Sequence, residues 1–229
     1  MWHIRVCYTH TTENVPLKFR AQSSHRIKGE ILKDIQPQAS AIILVDMARD
    51  FVEPGGFIAD AGGTTYQAKA KAIIEPLAKL LDAARGAGVT VIYSTDCHTP
   101  EDAELTKWPP HAMKGTKWAE IISELAPQEN DLVLPKTTYS GFQSSNLEAE
   151  LRNRGIERLY IAGLHTDCCC RHTSGDAFQK GFDLVWITDG LQALTDEGHQ
   201  TGLAYYETWY ATEPERQFKT TADLIKAWA

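Results

Sequence analysis

Short unbroken apolar runs alternate along this chain with longer stretches of helical spacing. Ala41–Val45 is the first run, β-rich and closed by Asp46. Val89–Ser94, Asp131–Pro135, Arg158–Ala162 and Leu184–Thr188 repeat the pattern. Between them, Thr64–Arg85 reads as a helix interrupted by Pro76 and closed by Gly86 and Gly88. Lys117–Leu125 reads as a short helix, Ser145–Arg154 as a helix stopped by Gly155, and Cys169–Lys180 as one stopped by Gly181. A further helix lies near His199–Tyr210. Arg216–Lys219 reads as a short last strand, and Thr220 caps a final helix with Asp223 in its first turn. Strand runs that do not alternate are buried on both faces. The grammar therefore predicts a doubly wound, mostly parallel α/β sheet of about six strands with helices on both faces. In such a sheet ligands bind at the carboxyl ends of the strands.

That rule selects a small set of residues. The strand ends carry Asp46, then Thr95-Asp96-Cys97-His98, then Lys136, then His165-Thr166-Asp167-Cys168-Cys169-Cys170, then Asp189. A cysteine at a strand-to-helix turn faces the partial positive charge and free N–H groups of the helix start, which favour a thiolate and can hold an oxyanion. A nearby lysine lowers a thiol pKa further, and a carboxylate can take the thiol proton and return it to a leaving amine. Asp96, His98, Glu104 and His111 form a second group, spaced by two, six and seven residues. Two imidazoles with one or two carboxylates suit Zn²⁺, Fe²⁺ or Mn²⁺ better than Ca²⁺. Cys97 points away from such an ion, because side chains alternate along an extended segment.

Composition narrows the classes. The 229 residues are 43% hydrophobic and 23% charged, with a net charge of −7. This is ordinary globular composition. The acidic balance excludes a general nucleic-acid binder, and no apolar run approaches the roughly 18 residues of a membrane span. Residues 1–38 differ, with six basic and three acidic side chains. They are read as an N-terminal arm at a subunit interface of a homo-oligomer, with residues 39–229 as a single α/β domain. The five cysteines, three of them consecutive, make no disulfide framework and place the chain in a reducing cytoplasm.

Four blocks, in order, resemble the isochorismatase-like cysteine hydrolases and, within them, the nicotinamidases. They are Ile43–Phe51, Ser94–His98 with Trp108–Thr116, Lys136–Phe142, and Gly163–Cys169. The resemblance covers roughly residues 40 to 225. It implies a catalytic triad of Asp46, Lys136 and Cys169, and so chooses the middle cysteine of the triplet. It implies a non-proline cis peptide between Leu164 and His165, which aims the N–H groups of His165 and Cys169 at an oxyanion. It implies one divalent transition metal, zinc before iron or manganese, on Asp96, His98 and His111, with Glu104 binding directly or through water. Phe51, Trp108 and Tyr139 match its pocket aromatics, suited to a flat pyridine ring. The chain departs from the family at Ala48, where many members have Gln, and at Cys168 and Cys170, where apolar residues are usual.

The expected activity is metal-dependent hydrolysis of nicotinamide to nicotinate and ammonia through a Cys169 thioester. Two alternatives stand beside it: an amidohydrolase of the same superfamily acting on a ureido, carbamoyl or acyl amide, and a non-catalytic metal-binding protein. His165 is expected to act through its backbone, and Asp50 and Asp167 as structural hydrogen-bond formers. His172 is read as a packing or surface residue. The Tyr205, Tyr206, Trp209 and Tyr210 cluster is read as core or subunit interface.

Overall fold

A computed structural model describes residues 35–229. Of the expected arm, residues 1–34 and with them Cys7 lie outside the described residues. In chain order the elements are β1 Ser40–Val45, α1 Arg49–Val52, α2 Phe57–Ala72, α3 Ile74–Ala87, β2 Thr90–Asp96, β3 Leu132–Lys136, α4 Gly141–Ser144 and α5 Leu147–Asn153. Then come β4 Arg158–Leu164, α6 Cys169–Gln179, β5 Asp183–Gln192, α7 Asp196–Trp209, α8 Pro214–Gln217, β6 Phe218–Lys219 and α9 Thr221–Trp228. The six strands form one sheet in the order β3-β2-β1-β4-β5-β6, and every pairing is parallel.

Strand β1 shows why the sheet is covered on both sides. All six of its residues are buried. Ile42 and Leu44 point into one apolar cluster, which also holds Tyr66, Leu77, Leu81 and Leu224 of α2, α3 and α9. Ala41, Ile43 and Val45 point into the other, with Leu151, Ala177 and Tyr206 of α5, α6 and α7. Each fully buried Ile or Leu contributes about 1.5–3 kcal/mol. A side-chain period of two thus needs apolar residues at every position when both faces are covered.

Several boundaries differ from the sequence reading. The helix expected over Thr64–Arg85 is two helices, α2 and α3, meeting at Ile73. Helix α2 starts at Phe57, but Gly63 breaks its path at φ 71 and ψ −178, so helical periodicity becomes regular only after that point. Pro76 lies in the first turn of α3, where a missing N–H leaves no bond unmade, and marks a start rather than an interruption. Lys117–Leu125 is not one helix. It holds two 3₁₀ turns, Lys117–Ala119 and Ser123–Leu125, separated where Ile121 bridges to Ala48. The last strand is only Phe218–Lys219, because Pro214 starts a helical turn that takes up Arg216 and Gln217. Strand β5 runs on to Gln192, so Asp189 does not end it. The Asp189 carboxylate instead accepts from the N–H and hydroxyl of Thr221, at 2.7 and 2.8 Å, and ties down α9.

The chain steps outward from β1 to β2 and β3, then returns to place β4 on the other side of β1. The carboxyl ends of β1 and β4 therefore flank the switch point, where an open α/β sheet has its crevice. Gly163 of β4 allows the close approach there. Its φ is +105, and a Cβ would stand 2.1 Å from the Val45 carbonyl oxygen.

Candidate active site

Asp46 follows β1, Asp96 and Lys136 are the last residues of β2 and β3, and Cys169 is the first residue of α6. Asp46 takes a left-handed φ of 50, a conformation that Asp tolerates better than most residues. Its N–H donates to the Ser94 carbonyl at 3.0 Å, and its Oδ1 accepts from the Asp96 N–H at 2.8 Å. Lys136 Nζ donates to Asp46 Oδ2 at 2.9 Å and also to Asp96 Oδ1. Asp46 and Lys136 are completely buried. The Cys169 Sγ lies within 4.8 Å of carboxylate oxygens of both aspartates. The three residues expected as a triad are therefore brought together from three separate strand ends.

One buried cation between two buried carboxylates leaves one negative charge too many. Burial, and then repulsion from Asp96, push Asp46 up to about 7, against the pull of Lys136. Burial opposes ionisation of Asp96, but Lys136 and His98 together outweigh it and hold that carboxyl below the usual range. Burial also opposes the charge on Lys136, and Asp46 and Asp96 overcome it and keep the ammonium charged. A hydrogen bond shared with Cys168, then burial, hold the Cys169 thiol well above the usual thiol range. The site thus rests as a neutral thiol beside a carboxyl group poised near neutrality. A non-proline cis peptide joins Leu164 to His165 just before it.

The second group also assembles. Asp96, His98, Glu104 and His111 offer ligand atoms within 4.8 Å of one another. His98 Nε2 faces Asp96 Oδ2 at 3.6 Å, His111 Nε2 faces the same oxygen at 3.9 Å, and Glu104 Oε1 is 3.7 Å from His111 Nε2. Asp96 Oδ2 and His98 Nε2 are buried and, among the described residues, have no hydrogen-bond partner. Buried polar atoms are rarely left so, and two that converge this closely fit a shared cation. Two imidazoles and two carboxylates are a donor set for a divalent transition metal. Cys97 is outside the group, as expected; its N–H donates to the Lys136 carbonyl at 2.9 Å.

Both groups open on one cavity of about 260 Å³. Phe51, Trp108 and Tyr139 line it, and Trp108 Nε1 donates to the Tyr139 hydroxyl at 3.1 Å. Ile58, His165, Asp167, Cys168 and Leu194 also line it. One reading changes here. Asp167, expected to form structural hydrogen bonds, lines the cavity, and among the described residues no hydrogen bond ties its carboxylate. The His165 side chain also faces the cavity, with Nε2 at 2.8 Å from the Tyr66 hydroxyl. Burial drops its pKa to about 4, so the ring is neutral. Tyr66 and Ile58 escaped the sequence reading because they sit on α2, outside every motif block. Asp50 does act structurally: its carboxylate accepts from the N–H groups of Ile58 and Ala112, at 3.0 and 2.9 Å, and pins the segment after His111. His172 is an exposed residue of α6 with its ring 5.2 Å from that of Tyr139. In the aromatic cluster, Tyr206 is core, stacked on Trp186 at 5.0 Å, whereas Trp209 is 63% exposed.

Known proteins share this architecture. The family model for the isochorismatase domain matches residues 40–214. Ureidoacrylate amidohydrolase RutB of Rhizobium rhizogenes is 32% identical over 203 residues, covering 78% of this chain and 82% of that protein. The crystal structure of N-carbamoylsarcosine amidase from Thermoplasma acidophilum superposes with a TM-score of 0.69 at 31% identity, over 80% of this chain and 96% of that one. Pyrazinamidase of Pyrococcus horikoshii, solved in complex with zinc, gives 0.64 at 26% identity, over 80% and 98%. Family match, parallel sheet and relatives agree: the chain belongs to the isochorismatase family, beside these three amide hydrolases.

Proposed function

We propose that this chain is a metal-dependent cysteine amidohydrolase of the nicotinamidase type, converting nicotinamide to nicotinate and ammonia. The observation that carries this reading is the convergence of Asp96, His98, Glu104 and His111 beside Cys169 on one aromatic-walled cavity. At about 260 Å³ the cavity falls below the roughly 300 Å³ at which ligand pockets usually begin, which suits a single-ring substrate. Among the described residues that line it there is no lysine or arginine. Ureidoacrylate and N-carbamoylsarcosine each carry a carboxylate that would call for such a partner, and nicotinamide does not.

The residues supply the steps. Asp46, poised at about 7, takes the proton of the Cys169 thiol as Sγ attacks the carboxamide carbon. Lys136 supports the developing thiolate. The N–H groups of His165 and Cys169 hold the oxyanion of the tetrahedral intermediate. Asp46 returns the proton to the nitrogen, ammonia leaves, and a thioester remains on Cys169. Asp46 then takes a proton from water as its oxygen attacks the thioester, and the acid is released with the thiol restored. Asp96, His98, Glu104 and His111 would hold a divalent metal, zinc by their chemistry, and such an ion supplies a Lewis acid for a ring nitrogen.

An ammonia-release panel tests the reading. Nicotinamide and pyrazinamide are expected to be hydrolysed with kcat/KM at least about 10²-fold above ureidoacrylate and N-carbamoylsarcosine, a gap typical of a missing charged partner. The reverse order would make this an amidohydrolase of ureido or carbamoyl acids.

A further inference from the structure

We propose that Asp102 is a positioning residue for the metal centre, holding the His98 ring by Nδ1 so that Nε2 is presented to the ion. The proposal rests on the metal-site reading above.

Asp102 occupies the position just before the 3₁₀ turn Ala103–Thr106, where an aspartate ordinarily caps the N–H groups that follow it. It makes no such bond. Its carboxylate turns back along the chain. Oδ2 accepts from the Thr99 N–H at 2.8 Å and stands 3.2 Å from His98 Nδ1, while Oδ1 accepts from the Thr99 hydroxyl at 3.2 Å. A carboxylate only accepts, so Nδ1 of His98 carries a proton, and in the neutral ring that binds a metal Nε2 is the lone pair. That Nε2 is the buried atom without a partner, facing Asp96 Oδ2. The other imidazole is set the same way by a different oxygen: His111 Nδ1 is 2.9 Å from the Pro109 carbonyl. Both rings therefore aim Nε2 inward, but only His98 is held by a side chain that carries charge and can be replaced. A carboxylate behind a ligating imidazole fixes the ring and strengthens its donor nitrogen.

The test uses the full chain, stripped with a chelator and titrated with zinc against a chromophoric chelator of known affinity. Asp102→Ala is expected to weaken zinc binding about 10–100-fold, the range usual for removing such a partner. Asp102→Asn keeps an acceptor oxygen and is expected to recover most of the loss. Thermal unfolding of the zinc-free variants separates positioning from a structural role, because only positioning changes zinc affinity beyond any change in zinc-free stability. Tight wild-type binding with unchanged affinity in Asp102→Ala would overturn this inference and leave the metal site standing. Wild-type protein that takes up no zinc would overturn both.

Discussion

The two halves of the site are built differently. Asp46, Lys136 and Cys169 sit at the ends of regular elements, and Lys136 is held between the carboxylates of Asp46 and Asp96. Of the second group only Asp96 ends a strand; His98, Glu104 and His111 lie on the long connection between β2 and β3, whose helical pieces are 3₁₀ turns. That half keeps two buried atoms without partners, whereas Asp46 and Lys136 are paired. On the proposed reading the triad is complete as protein, and the tetrad becomes complete around a cation. Asp96, a member of the tetrad, touches both, with Oδ1 on Lys136 and Oδ2 facing the imidazoles.

The largest effect that can break this contrast comes from the nucleophile. Cys169→Ala is expected to cut nicotinamide turnover by at least about 10³-fold with the circular dichroism spectrum unchanged. Substantial residual activity would dissolve the triad. Lys136→Ala strips the cation from two buried carboxylates, and urea denaturation should show a loss of about 3–5 kcal/mol. A loss under about 1 kcal/mol would show that the triad half is not balanced from within. The pH profile is a finer test. Asp46 must be ionised to act as a base, so kcat/KM should rise about tenfold per pH unit on the acid side and level off near pH 7. The smallest change should come from Cys168→Ala. It removes the sulfur hydrogen-bonded to the Cys169 thiol but no group that pairs with Lys136, so activity should stay within about tenfold of wild type. A loss like that of Cys169→Ala would move the nucleophile to Cys168.

The same contrast explains what the chain let a reader see. Strand runs such as Ala41–Val45 and Leu159–Ala162 were legible because burial on both faces leaves no charged position, and with them came the location of Asp46 and Lys136 at strand ends and of Cys169 at the following helix start. The tetrad was legible through its donor types, although spacing alone did not rank Glu104 or choose among the cysteines; the family resemblance did. Long-range partners were not legible. Tyr66 reaches His165 across 99 positions of chain, and nothing in either local pattern announces it. Asp102 carried no signal of its own in the chain, since only the structure shows its carboxylate turned away from the helical turn it precedes. Glycine placements misled where a kink inside α2 imitated a helix start.

The proposed reaction requires the two halves of the site to work together on one amide. The direct measurement is ammonia release from nicotinamide by wild-type protein as prepared, after exhaustive chelation, and after zinc is restored. The account predicts turnover, its loss on chelation and its return with zinc. Turnover that ignores chelation would contradict it, since the triad would then act without the site that Asp96, His98, Glu104 and His111 form.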